Sequence, residues 1–248
     1  MFSLEMEPSL INKRASFFPN GFISYDGVTI SSLSEHLNKY GLLPSLNKSI
    51  SFQIGPNGLV SPREVQTLEM RSLSNSLRVT MLPERVDVYS VNDIEITSFI
   101  EIANKVATEI IQVCSNIFNR IALGAVFFWD VPKDKFKSIY STIVHSTKDE
   151  NPIEWSVRKV NRKSLIKETH QVMYNEVSTL SRSIISIPQT QAMNGLTLEL
   201  DINTVVGSVP HDVMALKDKF FELAKDIIDN NKIEYSKIIS QDGFSANE

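Results

Sequence analysis

Residues 92–129 read NDIEITSFIEIANKVATEIIQVCSNIFNRIALGAVFFW, and the hydrophobic period changes along them. At about 100° per residue, Ile96, Phe99, Ile100, Ala103, Val106, Ala107, Ile110, Cys114, Ile117, Phe118 and Ile121 share one side of a helix. Glu101, Lys105, Thr108, Gln112, Ser115 and Asn119 take the other. Asn92 or Asp93 can accept a hydrogen bond from the free amides of the first turn, and Glu95 places negative charge at the positive end of the helix dipole. Beyond Arg120 the helical period is lost, bulky residues follow one another and Gly124 interrupts them. This is the pattern of a strand buried on both faces. A long amphipathic helix feeding a central strand implies a sheet that the helix covers.

Upstream, residues 1–30 mix Phe17, Phe18, Phe22, Ile23 and Tyr25 with Pro19, Gly21 and Gly27, and read as an arm or an edge hairpin. Residues 31–40 form a short helix with Leu33, His36, Leu37 and Tyr40 on one side, ended by Gly41. Strands are expected at 50–54, 65–73, 77–82 and 85–90. Leu77, Val79 and Met81 alternate with Arg78 and Thr80, and Val86 and Val88 with Arg85, Asp87 and Tyr89, as in half-buried antiparallel strands.

After Asp130 the order starts again. A short helix at 133–145 precedes strands at 153–160, 171–179, 183–189 and 196–203, and Gly207 and Pro210 lead into a second amphipathic helix. That helix begins near Asp212, with Val213, Leu216, Phe220, Leu223, Ala224, Ile227 and Ile228 on one face. The expected class is α+β: two similar lobes, each a mainly antiparallel sheet covered by one long helix. The arm spans 1–30, the lobes 31–130 and 131–240, and 241–248 is a frayed tail. The repeated order suggests an internal duplication, although the halves share no residue-level identity.

The charge of −4 and pI of about 5.7 give no basic footprint for nucleic acid or anionic membrane, which makes nucleic-acid binding the least favoured function. A single cysteine, Cys114, excludes an intrachain disulfide and a cysteine-based zinc site, as expected of a cytoplasmic protein. The N-terminal Met-Phe-Ser-Leu-Glu-Met-Glu-Pro has acids where a secretory signal has basic and then apolar residues. No segment approaches the roughly 18 apolar residues of a membrane span.

Catalytic signatures are sparse. His36, His145, His170 and His211 are scattered without metal-ligand spacing and are expected at the surface or the core boundary. No metal or cofactor is expected. Cys114 lies in the apolar stripe and is expected to pack in mid-helix. Gly55-Pro-Asn-Gly58 lacks the Lys-Ser/Thr of a phosphate loop and reads as a turn. Phe127, Phe128 and Trp129 are expected in the core, although Phe127 to Trp129 and Trp155 could also stack bases or fill a partner's pocket.

Glu199 and Asp201 stand out, because residues i and i+2 of a strand project to one face about 7 Å apart. They could hold a divalent ion or act as an acid–base pair. The favoured reading pairs them with Arg78, Arg85 or Arg158 in a cross-strand charge ladder.

The segments 76–89, the long helix, 120–129, 198–203 and 216–228 together resemble a sporadically distributed bacterial family of proteins of about this length with no assigned activity. The resemblance spans roughly residues 65–240 and rests on order and spacing. It implies a cytosolic bacterial protein of two repeated α+β halves and points to an accessory component of a mobile or defence locus. Where that family carries an arginine and an asparagine in the strand after the long helix, this chain has Ala125 to Phe128, so no polar role carries over to that strand. The resulting expectation is a non-enzymatic protein that self-associates or docks on a protein partner. The alternative is an enzyme or small-ligand-binding protein with a pocket between the lobes, its candidate residues being Glu199, Asp201, Arg78 and Arg85.

Overall fold

A computed structural model describes residues 6–54, 60–91, 94–115, 117–144, 152–167, 170–185, 193–207 and 215–240. Its strands are β1 Ser9–Pro19, β2 Leu42–Ile54, β3 Val60–Ser72, β4 Leu77–Leu82, β5 Arg85–Ser90, β6 Phe118–Asp130, β7 Ser156–Lys167, β8 His170–Ile185 and β9 Met193–Thr204. Its helices are α1 Gly27–Asn38, α2 Ile96–Cys114, α3 Phe136–Val144 and α4 Lys217–Ser240, with a 3-10 turn, Lys133–Lys135, before α3. The α+β class is as expected. The nine strands form one sheet in the order β2-β3-β4-β5-β1-β6-β9-β8-β7. Every pairing is antiparallel.

One continuous sheet replaces the two separate sheets expected, because β1 joins them. The stretch read as an arm or edge hairpin contains this central strand. Ala15 lies between Val88 of β5 and Leu123 of β6, and Phe17 between Val86 and Ile121, so each neighbour offers it a matched apolar row. All six side chains are fully buried. Their alternation was masked in the sequence by Lys13, which occupies the same face and is 1% exposed.

The helices cover this apolar face. Phe221 of α4 packs edge-on against Phe17, ring centroids 6.0 Å apart, and Phe17 meets Phe118 of β6 at 5.6 Å. Phe99, Ala103, Val106, Ala107 and Ile110 of α2 are fully buried, so the amphipathic stripe performs its expected role. The helix is shorter than expected. Ser115 takes a left-handed conformation, φ 51°, and returns its N–H to the Ile111 carbonyl at 2.8 Å. This closes α2 before the apolar period fails. Phe118 and Ile121 therefore belong to β6, and Ile117 is 50% exposed. At the other end Asn92 and Asp93 lie outside the described residues, and Glu95 occupies the cap without a side-chain capping bond.

β4 and β5 match their expected bounds and alternation. Among the described residues the second half has three strands where four were expected: 171–179 and the described part of 183–189 are one sixteen-residue strand, β8. No glycine, proline or asparagine falls between Thr179 and Ser183, and Leu180 stays buried, so the alternation runs through. The start expected for the last helix, Asp212, lies outside the described residues, as do Gly55-Pro-Asn-Gly58, His145, His211 and the tail. Past Lys237, Ile239 and Ser240 are buried. Ser240 Oγ accepts from the Met6 N–H at 2.9 Å, and the Met6 carbonyl accepts from Trp129 Nε1 at 3.1 Å. No described helix is long and apolar enough to cross a membrane.

His36 and Lys39, at the end of α1, both meet Glu109 of α2, at 2.7 and 2.5 Å. The hydrogen bonds from Lys39 first, and from His36 second, hold the Glu109 carboxyl below its ordinary range. A carboxyl depressed in the folded state contributes stability that is fully present above its unfolded pKa and is lost as pH falls through the folded value. Thermal stability of the native chain is therefore expected to fall more steeply than that of Glu109→Gln as pH drops from about 5 to about 3. Parallel melting curves across that range would remove the contact as a source of acid sensitivity.

Candidate functional site

Among the described residues the second face of the sheet carries no helix, and its side chains are mostly polar. One row crosses all nine strands in register: Leu43, Arg71, Arg78, Tyr89, Arg14, Gly124, Asp201, Val177 and Val160. Two of the expected site residues, Arg78 and Asp201, lie in it. Glu199 lies on the same face in the neighbouring row, and Arg85 two rows away on the other side.

The structure does not bring these four together. Arg78 and Arg85 are four and three strands from β9, roughly 19 and 14 Å at about 4.8 Å per strand. Each has a nearer partner. Arg85 Nε is 2.8 Å from Asp87, and Arg78 stacks over the Tyr89 ring at 4.6 Å with Nε 3.6 Å from Glu69. Arg71 also binds Glu69, at 2.8 Å. The expected ladder from Glu199 and Asp201 to Arg78, Arg85 or Arg158 is absent among the described residues. The first half balances its own charges on β3 to β5 instead.

Asp87 anchors that balance. It is 1% exposed and accepts from Ser16 Oγ at 2.6 Å and from the Tyr89 hydroxyl at 3.2 Å, in addition to its ion pair with Arg85. Burial and the neighbouring Asp87 charge raise the Tyr89 pKa, which keeps the phenol a donor.

On the other side of β1 the acids have different company. Asp201 Oδ2 accepts from Asn203 Nδ2 at 3.1 Å. Asn203 Oδ1 takes Arg120 Nη2 at 3.2 Å and Asn175 Nδ2 at 3.1 Å, and Asn175 Oδ1 takes Arg162 Nε at 3.0 Å. Asp201 is thus held at the end of an amide chain fed by two arginines. Its Oδ1 is buried with no hydrogen-bond partner. Glu199 is exposed.

Three residues missed in the sequence complete this region: Asn12 and Arg14 on β1, and Gly124 on β6. With Val126, Glu199 and Asp201 they line a shallow cavity of about 190 Å³. A second, of about 250 Å³, adjoins it through Asn12 and is lined by Arg71, Arg78 and Tyr89. A Cβ on Gly124 would approach the Leu200 carbonyl to 3.1 Å and lie 3.9 Å from Arg14 Nη2, so the glycine keeps the floor low where the guanidinium extends. The alternation of Asn12, Arg14 and Ser16 with Lys13, Ala15 and Phe17 was the available signal, and Lys13 obscured it.

Elsewhere, Cys114 is the last residue of α2 rather than a mid-helix one. It packs half-buried against the core, and burial pushes its thiol up to about 11, away from the thiolate a nucleophile requires. Phe127 and Trp129 face the core. Phe128 is also buried but lies on the opposite face, in register with Thr197. Trp155 is half-buried, 5.7 Å from the Tyr140 ring.

Replacing Asp87 with alanine strands the Ser16 hydroxyl and the Arg85 guanidinium. It should lower the free energy of unfolding in denaturant titration by about 1–3 kcal/mol. Ser16→Ala added to Asp87→Ala should cost less than Ser16→Ala alone, since the partner is already gone. Full additivity would deny the coupling.

No protein-family model matches this chain, and no curated protein matches it.

Proposed function

We propose that this chain is a non-enzymatic interaction protein that engages an acidic protein segment along the sheet edge formed by β7. One observation carries the reading. The twelve residues of β7 include Arg158, Lys159, Arg162, Lys163 and Lys167 and no acid, although the whole chain is acidic. β7 ends the sheet, so one side of its backbone faces no neighbouring strand among the described residues. Arg158, Lys159, Arg162 and Lys163 are exposed, and only Lys163 is ion-paired with a described residue, Glu176, at 2.8 Å. An open edge recognises an extended segment through main-chain hydrogen bonds, and the flanking charges select an acidic one. Val160 and Ile166, 47% and 64% exposed, add apolar contact on the same strand. With the resemblance to a bacterial family, this reading makes the chain an accessory component of a cytosolic bacterial assembly, in a defence or mobile locus.

The same proposal treats the chain as two similar halves. Strand, short helix, meander and long helix recur in the order β1, α1, β2 to β5, α2 and then β6, α3, β7 to β9, α4. The recurrence supports an internal duplication whose break precedes β6. An experimental structure whose halves fail to superpose in that order would end this part of the reading.

Affinity purification of the tagged chain from its own host at native level tests the function. A stoichiometric protein partner is expected by mass spectrometry, and Arg158→Glu with Lys159→Glu is expected to release it. A strictly monomeric chain that captures nothing, or a partner indifferent to charge reversal, would overturn the docking edge. A salt-dependent shift with DNA or RNA and no protein partner would replace it with polyanion binding.

A further inference from the structure

The uncovered face concentrates unused hydrogen-bonding capacity at one place, the cavity over Gly124. Its groups are sorted by charge. Arg14 stands on the β1 side, and Glu199 and Asp201 on the β9 side. Gly124 lies opposite both Arg14 and Asp201 in register. Arg71, Arg78, Arg85 and Arg120 on this face all have ionic, ring or amide partners. The Arg14 side chain makes no hydrogen bond or ion pair with a described residue, although its charge acts on the neighbouring Tyr89 hydroxyl. Two further atoms at the cavity, Oδ1 of Asn12 and Oδ1 of Asp201, are buried without a hydrogen-bond partner.

These atoms differ in what they require. Both orphaned oxygens are acceptors and call for a donor, while the guanidinium calls for an anion. A ligand carrying only negative charge would meet Glu199 and Asp201, and a lone cation would meet Arg14. A ligand that carries both charges satisfies Arg14 on one side and the two acids on the other. A volume of about 190 Å³ lies below the roughly 300–1,000 Å³ of drug-sized sites and suits on the order of ten non-hydrogen atoms.

We infer that the cavity between Arg14 and Asp201 binds a small zwitterion of the α-amino acid class. Its ammonium pairs with the Asp201 and Glu199 carboxylates on the β9 side, and its carboxylate receives the Arg14 guanidinium on the β1 side. The amide chain through Asn203 orients Asp201. Val126 forms an apolar wall for the ligand's side chain. The inference does not rest on the docking reading, since the cavity lies on β1, β6 and β9 and is lined by different side chains.

Isothermal titration of the full chain with each proteinogenic L-amino acid tests the site, followed by the N-acetyl derivative and the decarboxylated amine of any that bind. At least one free amino acid is expected to bind with a sub-millimolar Kd. Removing either charge from it should weaken binding by about tenfold or more, and Arg14→Gln and Asp201→Asn should each do the same. Gly124→Val, which raises the floor, should abolish binding; its fold is checked by circular dichroism, and the two polar variants carry the test if it does not fold. Absence of binding by every free amino acid, equal binding of the acetylated or decarboxylated form, or indifference to both polar variants would overturn the assignment.

Discussion

The antiparallel pairing of β1 with β6 is the contact on which the rest of the molecule depends. It joins segments about a hundred residues apart and converts two strand groups into one sheet. Contacts of such sequence separation carry a large loop-closure cost before they stabilise anything. The apolar partners must therefore be well matched. Phe17, Ala15, Ile121 and Leu123 supply that match from the strands, and Phe221 of α4 seals it from above. The same pairing sets Arg14 beside Gly124, so the cavity on the opposite face follows from the core contact.

Where local pattern and tertiary environment agreed, the fold was legible. β4 and β5 alternate cleanly because each has one face on the core, and the α2 stripe faces the sheet along its length. The boundary of α2 was not legible. Ile117, Phe118 and Ile121 continue its apolar period by coincidence, and the break depends on one backbone conformation at Ser115. β8 was divided in the reading because its middle carries serine and threonine, residues as compatible with a turn as with a strand. The central strand was missed because a buried lysine occupies its core face.

The candidate site was half legible for a related reason. Glu199 and Asp201 alternate with leucines on β9 and were visible as a same-face pair. Their cross-strand neighbours depend on strand order, which periodicity does not encode. Arg78 and Arg85 lie on the correct face, but β1 and β6 intervene, and Glu69 and Asp87 engage them first. Gly124, which reads in sequence only as an interruption, matters because it carries no side chain between two charged strands.

The two halves of the uncovered face manage charge differently. On β3 to β5, arginines and acids are paired over short distances, and Asp87 is closed off by two hydroxyl donors and the Arg85 guanidinium. On β9 to β7, Arg162 of the edge strand reaches Asp201 only through Asn175 and Asn203. The Arg162–Asn175 bond is exposed to solvent, whereas the two bonds that follow it, Asn175 to Asn203 and Asn203 to Asp201, are partly buried and hold Asp201 in place whether or not Arg162 is engaged. The side that carries Asp201 is thus organised by amides across β8 and β9, and the side that carries Asp87 by hydroxyls and a guanidinium from adjacent strands.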